Sequence, residues 1–140
     1  MAKNTQLSNA CVNAEADALS ALLGNGYLRL YSTGQPANAD TALSGQTMLA
    51  ELRFSVTAAP AASAGVITFN AITSATAAAS NTATWFRCLK SDGTTVVFDG
   101  TVDVAGNTPN LALNSVVISA GATVSVSSFT HTVAKATAGS

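Results

Sequence analysis

The feature that most constrains the fold is a change of hydrophobic period at Gly26. Beyond this residue, apolar and polar side chains alternate with a period of two, which is typical of strands that bury one face. The pattern predicts an all-β fold, a single-domain jelly roll or β-sandwich of about eight or nine short antiparallel strands. We expect strands at residues 27–32, 48–54, 66–72, 85–90, 95–98, 101–104, 111–113, 115–118 and 122–133.

One amphipathic segment precedes the alternating region. Apolar residues recur every three to four positions among alanines from residue 8 to residue 23, which predicts a helix with Ser8 as its N-cap. We expect Gly24 to end this helix in the left-handed conformation that glycine accepts readily. Residues 1–26 are thus predicted to be a helical arm and residues 27–140 the β-sandwich body, together forming one domain. A single helix also excludes a parallel α/β fold, which needs a helix after most strands.

A tight turn is predicted at Asp92 and Gly93, between the fourth and fifth predicted strands. Asp-Gly between two β-rich runs favours a type I′ hairpin, in which both central residues have positive φ. We therefore expect positive φ at Gly93.

Two stretches of low complexity interrupt the strands, at residues 57–64 (TAAPAASA) and 74–83 (SATAAASNTA). Composition alone is compatible with flexible linkers. Because both stretches lie between strands of one predicted domain, we interpret them as loops or irregular edge strands.

The charge content narrows the range of functions. Only 9% of residues are charged, against about 25% in an ordinary globular protein. The formal net charge is −1, and no cluster of Lys and Arg is available to neutralise a phosphate backbone. A neutral surface favours self-association, so we expect protein partners and no nucleic acid.

The residues needed for catalysis or metal binding are scarce. The chain has one histidine, His131, and two cysteines, Cys11 and Cys88, which we expect to be reduced, partly buried thiols. No nucleophile motif surrounds His131, which we expect to face solvent on a strand. Asp92 and Asp99 each precede a glycine, as turn residues do. We predict a protein that is not an enzyme, with no catalytic residues, no cofactor and no metal.

The sequence contains no apolar segment long enough to cross a membrane and no apolar stretch after Lys3 of the kind found in a signal peptide. We therefore expect no membrane partner and no export.

A few residues are candidates for contacts with partners. Trp85 and Phe86 are adjacent in a predicted strand and so point to opposite faces. We expect one of them in the core. The other, with Arg87, is either at an intersubunit or inter-strand contact or a surface aromatic beside a loop. The helix and the loop at residues 35–46 are the elements best placed to bind a partner. The candidate interface residues are Leu19, Leu22, Leu23, Gln35, Pro36, Trp85 and Arg87.

Three runs of the chain resemble a family of small proteins encoded in the virion structural gene cluster of tailed phages and prophages. They are LRLYSTGQP at residues 28–36 with its continuation ANADTALSGQTMLAEL, TATWFRCLKSDGTTVVFDGTV at residues 82–102, and LNSVVISAGATVSVSSFTHTV at residues 113–133. The resemblance implies a capsid decoration (cement) protein that is made in the host cytoplasm and binds the outside of the virion. It also implies the major capsid protein as a partner and a homotrimer at threefold positions.

Two other functions remain open from the residues. A tail or neck structural protein of a phage would have the same composition and would form rings. A carbohydrate-binding jelly roll would need an exposed aromatic platform, for which Tyr27, Tyr31 and Trp85 are the available residues.

Overall fold

The computed structural model describes residues 3–137, which form one helix and thirteen short strands. The helix α1 spans Asn9–Leu23, and a single 3₁₀ turn spans Ala105–Asn107. The strands are β1 Thr5–Gln6, β2 Tyr27–Tyr31, β3 Met48–Arg53, β4 Val66–Thr68, β5 Ala75–Thr76, β6 Asn81–Thr82, β7 Trp85–Leu89, β8 Val96–Val104, β9 Leu111–Leu113, β10 Val117–Ile118, β11 Thr123–Val124, β12 Thr130–Thr132 and β13 Ala136–Thr137. A β-rich fold with one helix, as the alternation predicts, is confirmed.

The helix begins and ends close to the predicted positions. The Ser8 hydroxyl accepts a hydrogen bond from the Cys11 N–H at 3.1 Å, which caps the first turn. At the other end, the left-handed residue is Asn25, with φ +58°, whereas Gly24 has φ −54°. The prediction that Gly24 would adopt the left-handed conformation was therefore wrong by one residue.

The helix contributes residues to the hydrophobic core. Val12, Ala16 and Leu23 are fully buried, and Ala16 and Leu23 pack in the same apolar cluster as the sheet residue Leu28. Burying a Val or Leu side chain stabilises a fold by about 1.5–3 kcal/mol. The buried face of α1 therefore contributes to the stability of the sheet that it packs against.

The largest sheet has five strands in the order β3-β2-β7-β8-β9. Its two faces differ because side chains alternate along each strand. The inner face carries apolar side chains that pack against α1 and against Phe129. The outer face carries most of the polar and charged residues of the sheet. The inner face comprises Leu28, Leu30, Ala50, Leu52, Phe86 and Cys88, and the outer face comprises Tyr27, Arg29, Tyr31, Glu51, Arg53, Trp85, Arg87 and Asp99.

The last pair in this sheet departs from the prediction of antiparallel strands. β8 and β9 run parallel, with Val102 opposite Leu111 and Val104 opposite Leu113. The short connection at residues 105–110 turns the chain back beside β8. There the Asn110 carboxamide oxygen accepts hydrogen bonds from the Thr101 N–H and hydroxyl, at 2.9 and 3.1 Å.

Three further short antiparallel pairings, which follow one another along the chain, form a two-stranded ribbon that covers the inner face. Residues 65–83 run antiparallel to residues 116–133, through the pairs β4–β12, β5–β11 and β6–β10. The register is almost constant along the ribbon, since Ile67 lies opposite His131 and Asn81 opposite Ile118. Residues 74–83, predicted to be loops or irregular edge strands, contain the two-residue strands β5 and β6.

The turn at Asp92 has a different geometry from the one predicted. Gly93 has φ +71°, as expected, but Asp92 is not in the left-handed region, so the turn is not type I′. The Asp92 carboxylate accepts hydrogen bonds from the N–H groups of Thr94 and Thr95 at 2.9 and 2.8 Å, and from the Thr95 hydroxyl. These bonds lower the pKa of Asp92 well below its usual range. Asp92 thus organises the turn by its side chain.

Candidate docking surface

A long loop crosses the outer face of the sheet between β2 and β3. We call residues 33–46 the platform loop. It is fixed at its base by a hydrogen bond from the Ser32 N–H to the Thr47 carbonyl at 3.1 Å, and by one from the Thr84 hydroxyl to the Thr33 carbonyl at 2.6 Å. The Gln46 side chain also donates to the Gly34 carbonyl at 2.9 Å, across the loop. The loop is therefore tied at both ends.

A buried ion pair holds the middle of the platform loop from below. Arg87 on β7 donates two hydrogen bonds to the Asp99 carboxylate on β8, at 2.7 and 2.8 Å. The same guanidinium donates a third to the Thr41 carbonyl in the loop, at 2.9 Å. The hydrogen bonds to Asp99 raise the pKa of Arg87. A cation fixed by a bidentate carboxylate thus orients the loop backbone.

An aromatic pair lies beside the ion pair. The Tyr31 and Trp85 rings stack with centroids 4.6 Å apart, and the Arg87 guanidinium lies 5.5 Å from the Trp85 ring. Tyr31 and Trp85 are both buried. Two polar atoms here, the Trp85 Nε1 and the Ser32 hydroxyl, are buried with no hydrogen-bond partner among residues 3–137. The outer face is thus dry near Trp85, although it carries charge.

The seven candidate interface residues divide into exposed and buried groups. Leu22 is 45% exposed, Gln35 is exposed, and Leu19 and Pro36 are partly exposed. Leu23 and Trp85 are fully buried and Arg87 is 4% exposed, so the side chains of these three are enclosed within the fold. For Trp85 and Arg87 the reason is that the outer face is itself covered, so that both Trp85 and Phe86 are interior residues. Of the two contacts predicted for Arg87, intersubunit or inter-strand, the structure shows an inter-strand contact, which is with Asp99.

Sequence reasoning missed two contributors to this surface. Asp99 was interpreted as a turn residue because Gly100 follows it, but both lie within β8. Gly100 is needed for packing, since a Cβ there would lie 2.5 Å from the Phe86 ring. Leu43 in the platform loop is 44% exposed and was not singled out. The sequence feature that could have identified Leu43 is that it is a large apolar residue in a loop of otherwise small and polar residues.

A second apolar surface lies where α1 meets residues 56–61. A groove of about 350 Å³ is lined there by small residues that include Ala21, Gly24 and Pro60. Val56 on its rim is 77% exposed. Asp17 closes one side, where its carboxylate accepts a hydrogen bond from the Ala62 N–H at 2.8 Å.

Among residues 3–137 there is no group of three or more His, Cys, Asp and Glu side chains that could hold a metal ion. His131 packs against the Phe98 ring, with ring centroids 5.0 Å apart, so this histidine, expected to face solvent, is only partly exposed. Cys11 and Cys88 are both free, and burial raises the pKa of Cys88 well above its usual value.

The aromatic platform required for carbohydrate binding is not formed by the expected residues. Tyr31 and Trp85 are buried, and only Tyr27 of the three is partly exposed. Its ring lies between two guanidinium groups, with Arg53 at 4.8 Å and Arg29 at 5.7 Å from the centroid. The outer face therefore offers one aromatic ring flanked by cations, which is a poor surface for stacking a sugar.

No helix in the described part of the chain is both long and apolar enough to span a membrane. Comparisons with protein-family models, with curated proteins and with solved structures found no match to this chain.

Proposed function

We propose that this chain is a virion structural protein that binds the outside of a phage capsid as a decoration protein. The proposal starts from the resemblance of residues 28–52, 82–102 and 113–133 to proteins of the virion structural gene cluster. The observation that carries it is the platform loop, which is exposed along most of its length and anchored from below by Arg87. We propose further that the five-stranded sheet and the ribbon form the two layers of a β-sandwich.

An anchored loop suits docking to a large assembly. A loop that is already fixed loses less conformational entropy on binding than a free one, where each immobilised side chain costs about 0.5–1.5 kcal/mol. In the loop, Leu43 and Gln35 are exposed and Pro36 is partly exposed. Its only charged residue is Asp40. Such a surface fits an apolar or neutral patch on a coat subunit.

The partners follow from this reading. The major capsid protein is the proposed binding partner, and copies of this chain are proposed to meet as homotrimers at threefold positions. Contacts across neighbouring coat subunits favour the assembled shell, because a ligand stabilises the state that it binds. The proposed location is the capsid exterior.

The test is to mix the purified chain with undecorated shells and to measure occupancy by electron microscopy, together with the heat resistance of the shells. We expect saturable occupancy that changes little between low and high salt, since the contacting surface is nearly uncharged. Binding to tails or necks, or ring formation without any shell binding, would replace this proposal with the tail or neck alternative.

A further inference from the structure

The two layers of the fold leave an open seam between them. On one side, β8 is paired with β7 from Val96 to Thr101, but its other edge is paired with β9 only from Val102 onward. On the other side, residues 116–133 of the ribbon pair with residues 65–83 along one edge only. Within residues 3–137, no strand lies between these two edges. Unpaired edges of this kind are templates for an added strand.

The hydrogen bonds between paired strands determine which main-chain N–H and C=O groups along each edge point toward the seam. The Val102 N–H donates to the Thr84 carbonyl, so the alternation of an antiparallel pair turns the N–H and C=O of Asp99 away from β7. On the ribbon, the Phe129 carbonyl accepts a hydrogen bond from the Phe69 N–H, and the Val133 N–H donates to the Gly65 carbonyl. The same alternation turns Thr130 and Thr132 outward, toward the seam.

Two grooves mark this seam. One, of about 290 Å³, is lined by both edges together, and the other, of about 230 Å³, is lined by the end of β9 and the first half of the ribbon edge. The floor of the first is aromatic, with the Phe98 and Phe129 rings 6.2 Å apart. The residues that line the first groove are Phe98, Asp99, Pro109, Asn110, Phe129, Thr130, His131 and Thr132.

The seam is electrically neutral. The Asp99 carboxylate is occupied by Arg87 on the outer face, and burial lowers the pKa of His131, which favours its neutral form. No charged residue occurs between Asp103 and His131 in the sequence. A charged occupant would lose its hydration without gaining a counter-charge, and this cost selects an uncharged segment.

Within residues 3–137, no segment is free to fill the seam. The first strand, β1, is paired with the last strand, β13. The platform loop, the longest exposed loop of this range, is tied to the outer face. A segment of a different protein is therefore the occupant that fits.

We propose that this seam binds an extended, uncharged segment of a different protein by β-strand addition, with the outward main-chain groups of Asp99, Thr130 and Thr132 as its hydrogen-bond partners. Main-chain bonds supply the affinity, and the shallow aromatic floor selects small side chains at alternate positions. This inference rests on the open edges and does not depend on the virion role proposed above.

A first experiment measures whether the edges are open in the free protein. Amide hydrogen exchange should be fast at Asp99, Thr130 and Thr132 and slow at Gly100 and His131, whose N–H groups face a partner strand. If the amides of Asp99, Thr130 and Thr132 were as well protected as those of Gly100 and His131, the open seam would be contradicted.

A second experiment uses a synthetic probe, the uncharged peptide acetyl-Ser-Val-Thr-Val-Thr-Val-Ser-amide. We expect millimolar binding, with NMR shift changes at the amides of Asp99, Thr130 and Thr132. Thr132→Pro removes an outward N–H without breaking the ladder to β4, and should weaken binding by about fivefold, whereas Thr132→Ala should not. A thermal midpoint for Thr132→Pro near that of Thr132→Ala establishes that the variant folds.

Two further peptides distinguish main-chain recognition from non-specific binding. A probe with proline at its central position lacks a donor and should bind more weakly, as should a probe with lysine at alternate positions. Equal binding of all probes, binding that Thr132→Pro leaves unchanged, or no binding at millimolar peptide would each overturn the proposal. Shell binding by the whole protein is measured separately, so failure here leaves the decoration proposal standing.

Discussion

Arg87 and Asp99 form a bidentate ion pair between β7 and β8, with both side chains about 95% buried. A buried pair pays a large desolvation cost, and its removal by two apolar residues is often nearly neutral. Here the same guanidinium also holds the Thr41 carbonyl, so the pair has a geometric role beyond stability. It fixes a loop that would otherwise be joined to the sheet only at its ends.

Breaking this pair on one side should be costly. We expect Asp99→Leu to lower the free energy of unfolding by about 3–5 kcal/mol, because it leaves the Arg87 charge buried without a counter-ion. The double variant Arg87→Met with Asp99→Leu should recover much of this loss. Urea unfolding of the four proteins in the cycle measures the coupling between the two residues. Additive single effects would show that the pair is not a coupled unit.

The double variant also separates stability from loop order. With Arg87 replaced, the Thr41 carbonyl loses its partner, and we expect faster amide exchange in residues 38–44 even if the fold remains stable. Unchanged exchange there would mean that the platform loop does not need Arg87.

Gly93 gives a test of backbone geometry in the turn. Its φ of +71° disfavours any residue with a Cβ, so Gly93→Ala should destabilise the fold by about 1–2 kcal/mol. Gly106→Ala is the matched control, because its φ is not in the left-handed region and nothing lies within 4 Å of the added Cβ. The comparison is made by thermal or urea unfolding, and equal midpoints for the two variants would contradict the assigned turn.

His131 should make stability depend on pH. Burial against Phe98 lowers the pKa of His131 below its ordinary value of 6.5, so near and below that value the unfolded chain binds more protons than the folded one. Stability is therefore full well above pH 6.5 and declines as the pH falls through this value. His131→Gln should flatten the curve between pH 7.5 and about 5.5 in urea titrations. A curve for His131→Gln parallel to the wild type would assign the dependence to other groups.

Local sequence patterns were enough to predict the elements that rely on local rules. The helix cap at Ser8 and the strands at Tyr27–Tyr31 and Trp85–Leu89 follow from capping chemistry and from alternation, and the structure confirms them. The low charge content was equally visible in the composition.

Features that depend on distant partners were not predictable in the same way. Asp99 followed by glycine has the form of a turn, but the glycine is required by the Phe86 ring on the next strand. The parallel pairing of β8 and β9 depends on how residues 105–110 return, which no periodicity encodes. Trp85 looked available for a contact because Tyr31, whose ring stacks on it, is distant in sequence. These errors share one cause, which is that burial on the outer face is decided by tertiary contacts.

The last prediction concerns which surface binds the shell. Leu22 on α1 and Leu43 in the platform loop are 45% and 44% exposed, so they form a matched pair of apolar surface residues. Replacing either by aspartate removes little buried area from the isolated fold, and we expect nearly unchanged unfolding midpoints. If the platform loop docks on the coat, Leu43→Asp loses the burial of its exposed half and gains a buried charge. That change costs at least about 1 kcal/mol, or about fivefold in affinity for undecorated shells.

Leu22→Asp should leave that affinity close to the wild-type value, because the proposed contact does not include the helix. Occupancy is measured by titrating each variant against a fixed amount of shells at two salt concentrations. A loss for Leu22→Asp with none for Leu43→Asp would move the docking surface to the helix and its groove beside Val56. Equal affinities of both variants and the wild type would exclude both surfaces and remove the structural support for the proposed mode of attachment.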